Sequence, residues 1–347
     1  MSQLKVTVCA AHVAPVYLNA RATVEKACNL IAEAASRGVE LIAFPESFVP
    51  GFPVWPAVSP PIHNHSLFEQ FVAQSIRVPG PEVFQICQTA RASQIIVSIG
   101  ISESTSASVG CIWNTNLLIG RDGSILNHHR KIVPTFFEKL IWANGDGTGL
   151  RVIDTDVGRV GMLICGENTN PLARYAMIAE GEQIHISSFP PVWPTHEPQA
   201  NDAYDLANAI RIRTGAHSFE AKVFNVVASS LIDEAMLEAL ASIGRDGVDV
   251  VRNSPRAPSI IINPHGMIVS ETSAKEDELL IAEIDLQDCV VPKQFHDLSG
   301  YYNRFDIFNF KVDRTRRAPI EFSSTDAPCM YLFDALEKSE ARSNTAE

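Results

Sequence analysis

Arg159-Val-Gly-Met-Leu-Ile-Cys165-Gly-Glu-Asn-Thr-Asn-Pro171-Leu-Ala-Arg174 is the stretch on which the reading of this chain turns. An apolar run of strand length stops at a thiol. Asn170 then offers a cap, and Pro171 suits the first turn of a helix. A cysteine at such a strand-to-helix bend points out of the sheet near the positive end of the helix. Backbone N–H groups there have no intrahelical partner and can hold developing negative charge. The same field is expected to favour the thiolate. Cys165 is therefore read as a candidate nucleophile. Taken alone it would sooner be a core residue, because cysteine is among the most buried types.

Working outward, strands and helices alternate along the chain. Lys5 to Val13 reads as a strand, Asn19 to Arg37 as a helix ended by Gly38, and Leu41 to Phe44 as a buried strand. Pro81 to Ser93 has helical spacing and Gln94 to Ile101 that of a strand. Trp113 to Ile119 and Ser124 to His129 form a hairpin across Arg121-Asp-Gly123. Arg151 to Asp154 precedes the Cys165 strand. A helix from Pro171 to about Glu180 stops at Gly181. Gln183 to Ser187 is a strand, Asn201 to Phe219 a helix and Lys222 to Ser230 a strand. A hairpin of Ser259 to Asn263 and Met267 to Glu271 precedes a last strand, Leu279 to Ile284. Alternation mixed with hairpins implies an α/β class with two sheets and helices outside.

The 347 residues are 46% apolar, enough for a large core, and no Ser/Gly linker divides them. The formal charge is −12, from 28 basic against 40 acidic residues, with no basic stripe. That argues against a nucleic-acid partner. Seven cysteines are scattered (Cys9, Cys28, Cys87, Cys111, Cys165, Cys289, Cys329), which suits a reducing, cytoplasmic setting better than a disulfide framework. No apolar run approaches a membrane span, and the N-terminus lacks the flanks of a signal peptide. His63 and His65 lie in a Pro-rich loop without nearby ligand partners, so no metal is expected there, and no cofactor elsewhere.

Two further segments change the weight of Cys165. Val39-Glu-Leu-Ile-Ala-Phe-Pro45-Glu46 delivers a carboxylate from the end of an apolar strand. His128-His-Arg-Lys131-Ile-Val-Pro134-Thr-Phe-Phe-Glu138 places a lysine after a strand and a second glutamate beyond it. Singly, each is most simply a solvated surface charge. Together, and in this chain order, they resemble the Glu-Lys-Cys triad of the nitrilase superfamily. Leu150 to Arg159 looks like the hairpin before that family's nucleophile. Asp297-Leu-Ser-Gly-Tyr-Tyr-Asn-Arg304-Phe-Asp306 looks like the C-terminal motif of its true nitrilase branch. The resemblance spans about residues 4 to 320.

The resemblance implies a four-layer α-β-β-α sandwich over residues 1–290 and a C-terminal extension over 291–347 that makes oligomer contacts. The polar end of that extension, Glu337 to Glu347, is itself expected to be disordered from its composition. The resemblance implies a nitrile substrate, with Cys165 attacking to give a thioimidate and Glu46 as general base. Lys131 and the Gly166 N–H would stabilise the adduct, and Glu138 would orient water or Lys131. It further implies dimers that extend into spirals. An amidase or carbamoylase with the same triad, a cyanide-hydrolysing relative and a purely structural assembly protein remain as alternatives.

The sequence also departs from the family. Gly166 stands where tryptophan is usual, which would vacate volume at the floor of the site and admit a bulkier group unless a neighbouring aromatic fills it. Tyr301 and Phe305 replace the usual histidine and proline. Two loops rich in proline and aromatic residues, Phe48 to Pro56 and Ser187 to His196, follow strands at their C-terminal ends. Trp55, Phe189 and Trp193 are expected to line a hydrophobic pocket suited to an aliphatic or arylaceto nitrile; covering a core or dimer surface is the competing reading.

Overall fold

The computed structural model describes residues 5–197, 200, 204–244 and 246–317. Within them the strands are β1 Lys5–His12, β2 Leu41–Ala43, β3 Ile76–Arg77, β4 Ile96–Ser104, β5 Ile112–Ile119, β6 Ile125–Arg130, β7 Ile153–Thr155, β8 Gly158–Ile164, β9 Ile184–Phe189, β10 Phe224–Ser229, β11 Ser259–Ile262, β12 Ile268–Thr272 and β13 Glu278–Asp285. The helices are α1 Ala20–Ser36, α2 Trp55–Val58, α3 His65–Ala73, α4 Pro81–Ser93, α5 Pro171–Ala179, α6 Leu206–Ala221, α7 Glu234–Ala241, α8 Asp246–Asn253 and α9 Val290–Lys293.

The strands form two sheets. One has the order β13-β1-β2-β4-β5-β6, with β3 beside β4; the other runs β12-β11-β10-β9-β8-β7. Side-chain alternation along a strand then decides the layers. On β1, Val6, Val8 and Ala10 face the second sheet and pack with Met162, Ile186, Val226 and Ile261. Cys9 and Ala11 face the other way, against Val24, Ala27 and Ile31 of α1 and Val83, Ile86 and Ala90 of α4. Leu163 of β8 packs under Ala173, Ala176 and Met177 of α5. Helix, sheet, sheet, helix is the four-layer sandwich that the resemblance implies.

Element boundaries match the sequence reading closely where the apolar period is long. The helix read from Asn201 begins at Leu206, where Asp205 Oδ1 accepts from the Asn208 N–H at 3.0 Å, and residues 201–203 lie outside the described part. The short helices α2, α3, α7 and α8 were not foreseen. The segment 294–310 lies on its own chain: Leu298 packs with Ile178 and Val223, and Phe310 meets Tyr175 edge-on at 5.3 Å. The expected disordered tail, Glu337 to Glu347, lies outside the described residues.

Candidate active site

Cys165 follows the last residue of β8 and adopts φ 47°, a left-handed conformation rare for a non-glycine residue. It opens a 3₁₀ turn, Cys165–Thr169, and α5 begins only after Asn170, whose Oδ1 accepts from the Leu172 N–H at 3.0 Å. The thiol is thus a turn away from the helix end that the sequence reading placed beside it. Its electrostatics differ as well. Burial pushes the Cys165 thiol well above its ordinary value, the charge of Glu46 pushes the same way, and Lys131 opposes them. The expectation of a field-stabilised thiolate is corrected: the resting group is a thiol that needs a base.

Glu46 supplies a carboxylate at hand. It sits in the loop after β2, in a backbone so close to β4 that a Cβ on Gly100 would lie 2.3 Å from the Pro45 carbonyl oxygen. Its Oε1 accepts from Lys131 Nζ and from Asn114 Nδ2, both at 2.7 Å. Its Oε2 is buried and has no partner among the described residues. Lys131 follows β6 directly, and its backbone N–H donates to the Asn114 carbonyl at 2.8 Å. The ammonium gives its remaining bonds to Glu138, at 2.8 Å to Oε1 and 2.7 Å to Oε2. Three donor protons thereby meet three carboxylate oxygens.

Glu138 is held in turn. It lies in the 3₁₀ turn Phe136–Leu140, where Thr135 and Glu138 cap one another and the Thr135 N–H donates to Glu138 Oε2 at 2.7 Å. Burial raises Glu138, Lys131 opposes, and nearby Glu46 adds to the rise; the carboxyl ends near 7. Lys131, buried but flanked by two carboxylates, is raised and stays charged. One carboxylate oxygen each of Glu46 and Glu138 and the Cys165 sulfur all lie within 4.8 Å of one another. The structure therefore brings Glu46, Lys131, Glu138 and Cys165 together. Of the two roles expected for Glu138, the geometry fits orienting Lys131.

The surroundings are aromatic. Phe189 ends β9, next to Ser188, which pairs with Ile164 across the parallel strands, so it stands beside Cys165. Trp193 stacks on Phe137 at 4.4 Å, Phe52 touches Phe137, Trp142 and Trp193, and Trp55 meets Phe71 at 5.2 Å. All belong to one buried cluster with Cys165. A recess of about 470 Å³ opens one residue past both tryptophans, lined by Pro56 to Pro61, Pro194 to Glu197 and α8. Gly166 leaves no vacated floor: a Cβ there would lie 2.7 Å from Thr135 Oγ1.

Sequence reasoning missed several members. Asn114, in β5, touches both Glu46 and Lys131. Arg213 of α6 lies over the Phe189 ring at 5.7 Å, and its charge draws the Cys165 thiol downward. Glu167, two residues past the thiol, ties three segments: it accepts from the N–H groups of Ile132 and Ile164 at 2.7 and 2.8 Å, and pairs with His129 at 2.8 Å. That pairing gives His129 a structural role.

The carbon-nitrogen hydrolase family model matches residues 5–293. The chain belongs to that family. Among relatives of this carbon-nitrogen hydrolase, Nitrilase 3 of an unknown prokaryotic organism is 35% identical over 314 residues, covering 90% of this chain and 91% of its own. An arylacetonitrilase of Aspergillus oryzae is 33% identical, covering 88% and 90%. In fold, the chain is similar to a carbon-nitrogen hydrolase from Helicobacter pylori G27, with a TM-score of 0.65, 19% identity and coverage of 84% and 93%.

Proposed function

We propose that this enzyme hydrolyses an organic nitrile to a carboxylate and ammonia through a covalent intermediate on Cys165, with no cofactor. The reading rests most on one observation: a buried thiol lies beside a carboxylate whose free oxygen has no other partner. The nitrilase-named relatives support the choice of substrate.

In the proposed sequence, Glu46 Oε2 takes the thiol proton as Sγ bonds to the nitrile carbon. Charge develops on the nitrogen, opposite the Gly166 N–H and the Lys131 ammonium. Glu46 returns its proton to that nitrogen, giving a neutral thioimidate. Glu46 next deprotonates a water that adds to the same carbon. Glu46 passes that proton to the nitrogen, and as the C–N bond breaks the hydroxyl proton follows, so that ammonia leaves and a thioester remains. A second water, again deprotonated by Glu46, expels the sulfur as a thiol and releases the acid. If the C–S bond breaks in the first tetrahedral intermediate instead, an amide leaves. Lys131 holds both carboxylates in place throughout.

The apolar, largely aromatic cluster that contains Cys165 supports an aliphatic or arylaceto nitrile over a charged carbamoyl compound. Trp55, Phe189 and Trp193 are proposed as that lining. We also propose a cytoplasmic, self-associating protein with a catalytic unit over residues 1–290 and an extension beyond. Six cysteines among the described residues are free, and no described helix is long and apolar enough to cross a membrane.

The test is ammonia and acid release from an aliphatic dinitrile, phenylacetonitrile, benzonitrile, cyanide and the matching amides, with Cys165→Ala as control. Nitrile turnover that vanishes in the variant is the expected result. Turnover of amides alone overturns the nitrile assignment.

A further inference from the structure

A second buried polar cluster touches the Cys165 turn without belonging to the Glu46–Lys131–Glu138 set. Asn168 Nδ2 donates to the carbonyl oxygens of Leu163 at 3.2 Å and Cys165 at 3.1 Å. Its Oδ1 accepts from Ser187 Oγ at 3.0 Å and faces His185 Nε2, also at 3.0 Å. His185 Nδ1 lies 2.8 Å from Glu182 Oε2, and His217 Nε2 bonds the other oxygen of Glu182. All five side chains are buried.

Counting donors fixes the protons. The two carbonyls accept only, so the Asn168 amide must turn its NH₂ toward them and its oxygen toward His185. His185 Nε2 then donates. Burial alone would raise Glu182, but the two histidines beside it bring it down to about 2, so it too is an acceptor. His185 Nδ1 therefore donates as well, and the ring carries both protons, assigned here from the hydrogen-bond pattern. His217 is the neutral member. Burial and the charge of His185 lower it to about 4, and its Nδ1 is buried without a partner. The three donor atoms of Glu182, His185 and His217 lie within 4.8 Å of one another, a spacing that would also suit a cation. The ring nitrogens that face Glu182 are already spent as donors to it.

The Cys165 carbonyl and the Gly166 N–H belong to one peptide unit, and in a trans peptide they point opposite ways. Clamping that carbonyl on Asn168 fixes where the Gly166 N–H points. We propose that Glu182, His185 and Asn168 are positioning residues that aim the Gly166 N–H at the anionic adduct on Cys165. The inference rests on the covalent chemistry proposed above.

The test compares two reactions of Cys165 in the wild type, Asn168→Ala and His185→Gln. Nitrile turnover builds an anionic adduct; alkylation by iodoacetamide expels iodide and builds none. In Asn168→Ala, kcat is expected to fall about 10- to 100-fold, approaching the loss of one oxyanion donor. KM and the alkylation rate should stay within about threefold, since neither uses that donor. His185→Gln, which keeps an amide donor toward Asn168, should fall less. Unchanged kcat, or alkylation falling in parallel, overturns the proposal. An enzyme that turns over only amides defeats the nitrile reading, while the same split is then measured on the amide, whose adduct is also anionic. Independent of any substrate, ¹⁵N-histidine spectra should show one ring with both nitrogens hydrogen-bonded, absent from His185→Gln. Lack of that signal, or a tightly bound metal found by elemental analysis, also overturns it.

Discussion

Two carboxylates share one lysine at the centre of this molecule, and that arrangement sets the pH behaviour. Burial first, and then Glu46, raise Glu138 from 4.5 to about 7. Between those values the folded protein holds a proton that the unfolded chain has released. This group's contribution to stability is therefore present below about 4.5 and lost as pH rises through about 7. For catalysis, the sense is opposite. A proton entering the pair competes with the base that Cys165 requires, so kcat/KM should rise with pH along an acid limb centred near 7. A flat profile from about pH 5.5 to 8 would contradict this. The four residues of the site were legible because each carried its flanks: Pro45 before Glu46, His-Arg before Lys131, Thr135 before Glu138. Asn114 and Arg213 were not legible. One sits inside a strand of otherwise buried residues and the other on a helix of mixed polarity, and neither position signals what it will face once folded.

The decisive element is a pair of 3₁₀ turns in contact, Cys165–Thr169 and Phe136–Leu140. The sequence reading left open whether the volume at Gly166 is empty or filled by an aromatic neighbour, because it weighed a missing indole, not what lies opposite. Thr135 lies opposite. Its hydroxyl also accepts from the Glu138 N–H, so it cannot turn aside without uncapping the turn that holds Lys131. Losing such a cap costs about 1 kcal/mol. Gly166→Ala should lower kcat/KM in the wild type yet cost little more in a Thr135→Ala background, and a double-mutant cycle checks it. Simple additivity would contradict the contact. The unforeseen helices have a plain cause. Glu234–Ala241 had the signals, with Asp233 capping Met236 and Leu237 and Leu240 buried, whereas His65–Ala73 buries only Leu67 and Phe71 within a Pro-rich neighbourhood.

At the scale of the molecule, apolar clusters pack on the faces of both sheets, while apolar side chains near α5 stay exposed. Tyr301, Tyr302, Phe305, Ile307 and Phe308 are each at least 60% exposed, beside a groove of about 920 Å³ lined by Leu172 and Tyr175. A contiguous apolar surface of this kind marks an association site. Light scattering of the wild type should show a mass above the monomer's, and Phe305→Asp with Phe308→Asp should reduce it. A wild-type monomer at high concentration would contradict self-association. The central claim, though, is chemical: Cys165 carries the substrate. Intact-mass spectrometry of the wild-type enzyme quenched in acid during nitrile turnover tests it most directly. The account predicts an added mass equal to the nitrile or its thioester form, mapped to the Cys165 peptide. Continued turnover with no adduct, or in Cys165→Ala, would contradict it.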